Sequence, residues 1–171
     1  VRHTAAPPSV IPDPVLSPEF LAQIRVAEGV RTVVYDDGVG NPTAGIGHKL
    51  PRGSHLEIGD SVPIKEVERW FAQDIQTARD GAELDLDRRH GVGAFNSLAL
   101  RHQQLLVDLI FNTDDPFPKL KAALVRGDAA SAEREATRFA KLGPKGEQVE
   151  IPGRSEAAKQ MVREGFTAEP R

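Results

Sequence analysis

Glu28 is followed nine residues later by Asp37, and Thr43 comes six residues after that. These three types together are the equipment of glycosidic bond cleavage. Such chemistry uses two carboxyl groups in different protonation states. One gives its proton to the leaving oxygen; the other stays ionised and either places a water or attacks the sugar. A threonine hydroxyl can hold or orient that water. A proton donor must resist ionisation at neutral pH. Burial among apolar side chains and the partial negative charge of a helix C-terminus both favour the protonated acid. Each residue also has a plainer use. Glu28 can pair with Arg25 or Arg31 for stability, and an Asp before a Gly, as at Asp37-Gly38, is a common turn pair.

The surrounding elements decide whether the three can cooperate. Ser17-Pro18-Glu19 reads as a helix start, with a capping hydroxyl, a proline in the first turn and an early acid. Leu21, Ile24 and Glu28 fall on one face of that helix, and Gly29 is placed to end it. Val33, Val34 and Tyr35 favour a strand, and residues 37–42 are dense in turn formers. Thr43 to Gly47 can return as a second strand, with a third expected near His55 to Ile58. A hairpin of this kind brings Asp37 and Thr43 to one side.

From Pro63 the period becomes helical. Val67, Trp70, Phe71 and Ala78 mark a long amphipathic helix, with Asp74 on its margin and Trp70 expected in the core. Asp85, Asp87, Arg88 and Arg89 read as a solvated loop. The stretch from Ser97 to Asn112 is too apolar for a surface helix and is expected to be buried. Shorter helices are expected at 117–126, 128–141 and 154–165. The fold class is therefore α+β, a small antiparallel sheet lobe (17–62) followed by a larger helical lobe (63–171), with a cleft between them. Residues 1–16 carry Pro7, Pro8, Pro12 and Pro14 and read as an extended tail or as a linker to a further domain.

The 171 residues suffice for one domain, and with only 5% aromatics the core must be built from Leu, Val, Ile and Ala. A net charge of −3 argues against a nucleic-acid partner. There is no cysteine, so disulfides and thiolate metal ligation are excluded. No apolar run is long enough to span a membrane, and no signal peptide is visible. The chain opens on Val1, so a longer parent polypeptide is expected. His48, His55, His90 and His102 match no metal-ligand spacing, and no metal is expected. His48 is expected to make a structural hydrogen bond near the sheet, with a carboxylate as the natural partner. Gly45 and Gly47 are not a phosphate loop, because no Gly-Lys-Ser/Thr follows.

The composite run is more specific than its parts. Glu28-Gly29-Val30-Arg31, Tyr35-Asp36-Asp37, Gly40 and Thr43-Ala44-Gly45-Ile46-Gly47-His48 together resemble the phage-type, T4-like lysozymes and endolysins. The likeness continues through Asn96-Ser97-Leu98 and the helix ending in Phe111-Asn112. It reaches Pro152-Gly153-Arg154 and Glu156-Ala157, and spans residues 18–165. The resemblance implies a lysozyme-like fold and a muramidase that cuts the β-1,4 bond between N-acetylmuramic acid and N-acetylglucosamine in peptidoglycan. Glu28 would be the acid, Asp37 the second carboxylate and Thr43 its helper at the water. Tyr35, His48 and Arg154 would support the site or the substrate. No cofactor is implied, no stable membrane insertion is expected, and monomer is the default state. Action would be in the bacterial periplasm or at the cell wall, reached through a holin, a phage tail or a secretion system.

Three departures accompany the likeness. Asp114, followed by Asp115, stands where many members carry a glycine two residues after the Phe-Asn pair. Residues 143–151 lack the aromatics often found before the late arginine. The acidic balance offers an anionic wall little long-range attraction. Two alternatives differ in chemistry. A lytic transglycosylase would need the acid but not the water-serving Asp37 and Thr43. A wall-binding module would need none of the three.

Overall fold

The computed structural model describes residues 13–38, 40–113, 117–137, 139–142 and 147–168. Residues 1–12, Asp114, Asp115 and 143–146 lie outside the described residues, so most of the Pro-rich segment and the acidic departure after Asn112 do too. The side chains of 139–149 lie outside them as well, so the missing aromatics of that stretch have no structural counterpart here.

The first helix begins where its signals stand. The Ser17 side chain accepts from the Phe20 N–H at 3.3 Å, and α1 spans Pro18–Glu28. Phe20 and Ile24 are its buried residues. Gly29 ends it at φ 74°, a conformation that strains a side-chain-bearing residue, and donates its N–H to Arg25 O. Glu28 is thereby fixed as the last helical residue.

The chain then forms β1 (Arg31–Asp36), β2 (Pro42–Gly45) and β3 (His48–Lys49), an antiparallel sheet in that order. Tyr35 faces Thr43, and Thr43 faces Lys49. The third strand is not at His55 to Ile58 as expected. The tight turn through Ile46 and Gly47, with Gly47 at φ 73°, reverses the chain at once and ends β2 at Gly45. Residues 55–58 are loop, between Gly53 and Gly59, both at positive φ. Beyond them Ser61 bridges back to Val33.

Next comes α2 (Ile64–His90), 27 residues long. It absorbs Asp85, Asp87, Arg88 and Arg89, which were expected in a loop. The charges of Asp85, Asp87 and Arg89 are structural. Asp85 accepts from Arg89 Nε one turn on at 2.8 Å and from Lys121 Nζ at 2.6 Å. Lys121 is 2% exposed, so this pair is its compensation for burial. Asp87 accepts from the Phe95 and Gly93 N–H groups at 2.9 and 2.8 Å, which holds its carboxyl below the usual range.

A short helix, α3 (Ala94–Ser97), ends where the buried helix was expected to begin; after extended Leu98 and Ala99 that helix runs as α4 (Leu100–Asn112), with Leu105, Leu106, Val107 and Leu109 fully enclosed. Then follow α5 (Pro118–Arg126), α6 (Ala129–Glu135), a hairpin of β4 (Phe139–Leu142) with β5 (Glu147–Glu150), and α7 (Pro152–Thr167). A single helix over 128–141 was expected. It stops at Glu135 because the following residues pair as strands, across a Gly-Pro-Lys-Gly run that is a strong turn signal.

One apolar cluster joins both lobes, from Val34 and Ala44 of the sheet and Ile46 of its turn through Val67, Phe71 and Ile75 of α2 to α4 and α7. Trp70 belongs to it, as expected. The end of the Pro-rich segment is also part of the fold. Pro14–Leu16 form a 3-10 turn with Val15 buried; its carbonyl accepts from Gln104 Nε2 at 3.2 Å, and Asp13 pairs with Arg79 at 2.7 Å. These residues are therefore docked rather than extended. Among the described residues no helix is long and apolar enough to cross a membrane.

His102 of α4 is enclosed against α7. Its Nε2 lies 3.0 Å from the Val162 carbonyl and its ring packs edge-on to Phe166. A Cβ on Gly165 would sit 2.2 Å from the His102 ring. Gly165→Ala should therefore destabilise the fold by about 1–3 kcal/mol in urea unfolding, the cost of overpacking. Burial pushes the His102 pKa down, only partly offset by the Val162 carbonyl. The unfolded chain takes up the proton near pH ~6.5, where the folded chain resists it. Stability should be full above that pH and fall as pH drops below it. Urea midpoints between pH 8 and pH 5 should show this fall, and His102→Gln should remove its share.

Candidate active site

A cleft of about 460 Å³ opens between the end of α1, strand β3, the middle of α2 and the end of α4. Its walls include Glu28, His48, Lys49, Asp74, Phe111 and Asn112. The size suits a sugar-scale ligand rather than a water.

Glu28 enters from the helix end that Gly29 terminates. Its side chain is 16% exposed, and Oε1 lies 2.7 Å from Arg154 Nη2. That oxygen is buried and accepts no hydrogen bond from a described residue. The contact with Arg154 is thus one of charge, out of line with the N–H bonds. Arg154 is itself aimed by Asn112, whose Oδ1 accepts from Arg154 Nη1 at 3.0 Å. The Asn112 amide donates to the Asp108 carbonyl at 2.8 Å and to its carboxylate at 3.0 Å, which leaves the amide oxygen for the arginine. Three helices, α1, α4 and α7, meet in this arrangement.

The stabilising partner that sequence reasoning offered Glu28 was Arg25 or Arg31. Neither takes it. Arg25 pairs with Glu68 at 2.7 Å and lies over the Phe71 ring, and Arg31 lies over the Tyr35 ring. The partner is Arg154, at the start of the last helix.

Asp37 follows β1 and is half-buried. Asn41 donates its N–H to Asp37 Oδ1 at 3.0 Å and its amide to Oδ2 at 2.9 Å. The Asn41 carbonyl accepts from the Thr43 hydroxyl at 3.1 Å. Asn41 therefore ties Asp37 and Thr43 into one turn, and Thr43 is buried. Asp37, Thr43 and Tyr35 sit on the β1–β2 hairpin, whereas Glu28 and His48 line the cleft itself.

His48 shows the expected hydrogen bond to a carboxylate. Its Nδ1 is 2.7 Å from Asp74 Oδ2, and its ring stacks on Trp70 at 4.5 Å between centroids. The pair pins β3 to α2 across the cleft floor. Among the described residues no group of three or more His, Asp or Glu could hold a metal.

Sequence reasoning missed Asn41, Asn112 and the Asp74 contact. Signals existed for the last two. Asn112 is a polar end on the most apolar helix, and Asp74 is an acid on the margin of an amphipathic one.

Residues 25–153 match the family model described as phage lysozyme, which is well over half of the chain. Among solved structures, the chain is similar to an endolysin from Escherichia coli O157:H7 phage FAHEc1. The TM-score is 0.61 at 19% identity, over 91% of this chain and 96% of that one. It is also similar to the muramidase domain of SpmX from Asticaccaulis excentricus. There the TM-score is 0.61 at 16% identity, over 90% of this chain and 98% of that one. No curated protein matches by sequence.

The charge contact can be tested by stability alone. Arg154→Met removes the partner of a largely buried carboxyl and should cost about 1–3 kcal/mol in urea unfolding. Adding Glu28→Gln should recover much of that loss. Strict additivity of the two substitutions would show that the groups do not interact.

Proposed function

The chain belongs to the phage lysozyme family, and from that premise we propose that it hydrolyses the β-1,4 bond between N-acetylmuramic acid and N-acetylglucosamine, with Glu28 as proton donor. The observation that carries this reading is the position of Glu28. It is a largely enclosed carboxyl at the end of a helix, on the wall of a sugar-sized cleft.

In this mechanism Glu28 protonates the glycosidic oxygen as the bond to the anomeric carbon breaks. Arg154 compensates the carboxylate that remains, and Asn112 keeps the guanidinium in place. Asp37 stays ionised, orients a water and takes its proton as the water oxygen bonds to the anomeric carbon. Thr43 helps to hold that water, and Asn41 fixes the angle of Asp37 relative to it. His48 supports the floor through Asp74 and Trp70, and Tyr35 supports the hairpin. The similar structures are described as an endolysin and a muramidase domain, in keeping with this assignment. Its substrate is peptidoglycan, and its place of action is the cell wall or the periplasm around it.

Glu28→Gln keeps shape and removes the transferable proton. It should lower turnover on purified peptidoglycan by roughly 10²–10⁴-fold, with a loss of unfolding stability of no more than about 1 kcal/mol, because Arg154 stays partly open to water. Near-normal turnover would reject Glu28 as the acid. Asp37→Asn should also greatly slow clearing of the wall. A mild effect would shift the second role to another carboxylate, Asp36 first, or to the sugar's own hydroxyl.

A further inference from the structure

The cleft wall carries one cation whose purpose the mechanism leaves open. Lys49 closes β3, lines the cleft and is exposed. Its backbone is paired directly opposite Thr43, so its root is fixed to the sheet beside the residues assigned to the water. The acids of the same wall already have partners. Glu28 faces Arg154, and Asp74 is held by His48 at 2.7 Å. Among the described residues Lys49 makes no ion pair.

The backbone sugars of a glycan strand carry no charge, whereas their substituents carry carboxylates. The molecule as a whole, at −3, cannot attract such a strand by net charge. Any recognition of its anions must be local, and a flexible ammonium on the cleft wall is suited to it.

We infer that Lys49 is a specificity-determining residue of the cleft that binds a carboxylate carried by the glycan strand, on the peptide stem or on the lactyl group. The inference rests on the hydrolase reading above and names what that site selects. Lys49 contributes to holding the strand, so its effect is on KM rather than on the chemical step.

The test uses soluble peptidoglycan strands and the same strands with their carboxylates capped as neutral amides. Capping should raise the wild-type KM by roughly three- to fivefold, the scale of one solvent-exposed charge contact. Lys49→Ala should show that raised KM on uncapped strands and be indifferent to capping. Lys49→Arg should restore most of the preference. Strands with intact stems and strands stripped of peptide are run separately, because the first offer stem carboxylates and the second free lactyl ones. Coupling in one arm names the source. If capping affects wild type and Lys49→Ala equally in both arms, the inference is overturned while the hydrolase reading stands. If wild type cleaves no strand at all, the hydrolase reading falls and takes this inference with it.

Discussion

A glutamate at the end of the first helix and an arginine at the start of the last meet at 2.7 Å, and the geometry of the cleft follows from that meeting. An enclosed carboxyl and a guanidinium are each costly to bury alone. Their contact requires α1 to stop at Glu28, α7 to begin near Arg154, and α4 to end at the asparagine that aims the guanidinium. The signals that enforce these stops are local: a glycine at φ 74° after Glu28 and a proline in the first turn of α7. The apolar cluster supplies the force that presses the helices together.

The sheet serves the site in another way. Its strands are short, and its turns are set by glycines and by side-chain bonds to the backbone. Asn41 grips both oxygens of Asp37 and also receives the Thr43 hydroxyl. The His48–Asp74 bond and the His48–Trp70 stack fasten the far strand to α2. The hairpin is thus pinned at both ends, which limits how far its carboxylate can move relative to the helical wall.

Local signals were legible wherever a short stretch settled the outcome. The Ser17-Pro18 start, the Gly29 stop, the β1–β2 hairpin, the buried helix ending at Asn112 and the core position of Trp70 follow from spacing and side-chain type. Some of what failed depended on distant partners. Asp85 and Asp87 looked like loop residues because nothing nearby in sequence announces Lys121 or the Phe95 amide as their partners. The third strand was misplaced because a two-residue strand leaves no periodicity to read. The helix expected over 128–141 gave way to a local hairpin, whose signal, the run from Gly143 to Gly146, stands just beyond the expected helix end. For the proposed site, the Glu-Asp-Thr spacing was visible. The identity of the cation beside Glu28 was not, since Arg25 and Arg31 are near in sequence while Arg154 is near only in space.

The central claim is that water, activated on the hairpin side, replaces the glycosidic oxygen that Glu28 protonates. Digestion of purified peptidoglycan in water enriched with heavy oxygen, followed by mass spectrometry of the released fragments, tests it most directly. The account predicts reducing-end muramic acid carrying one heavy oxygen atom per bond cut. Anhydro-muramic ends without the label would contradict it and assign the attack to the sugar's own hydroxyl.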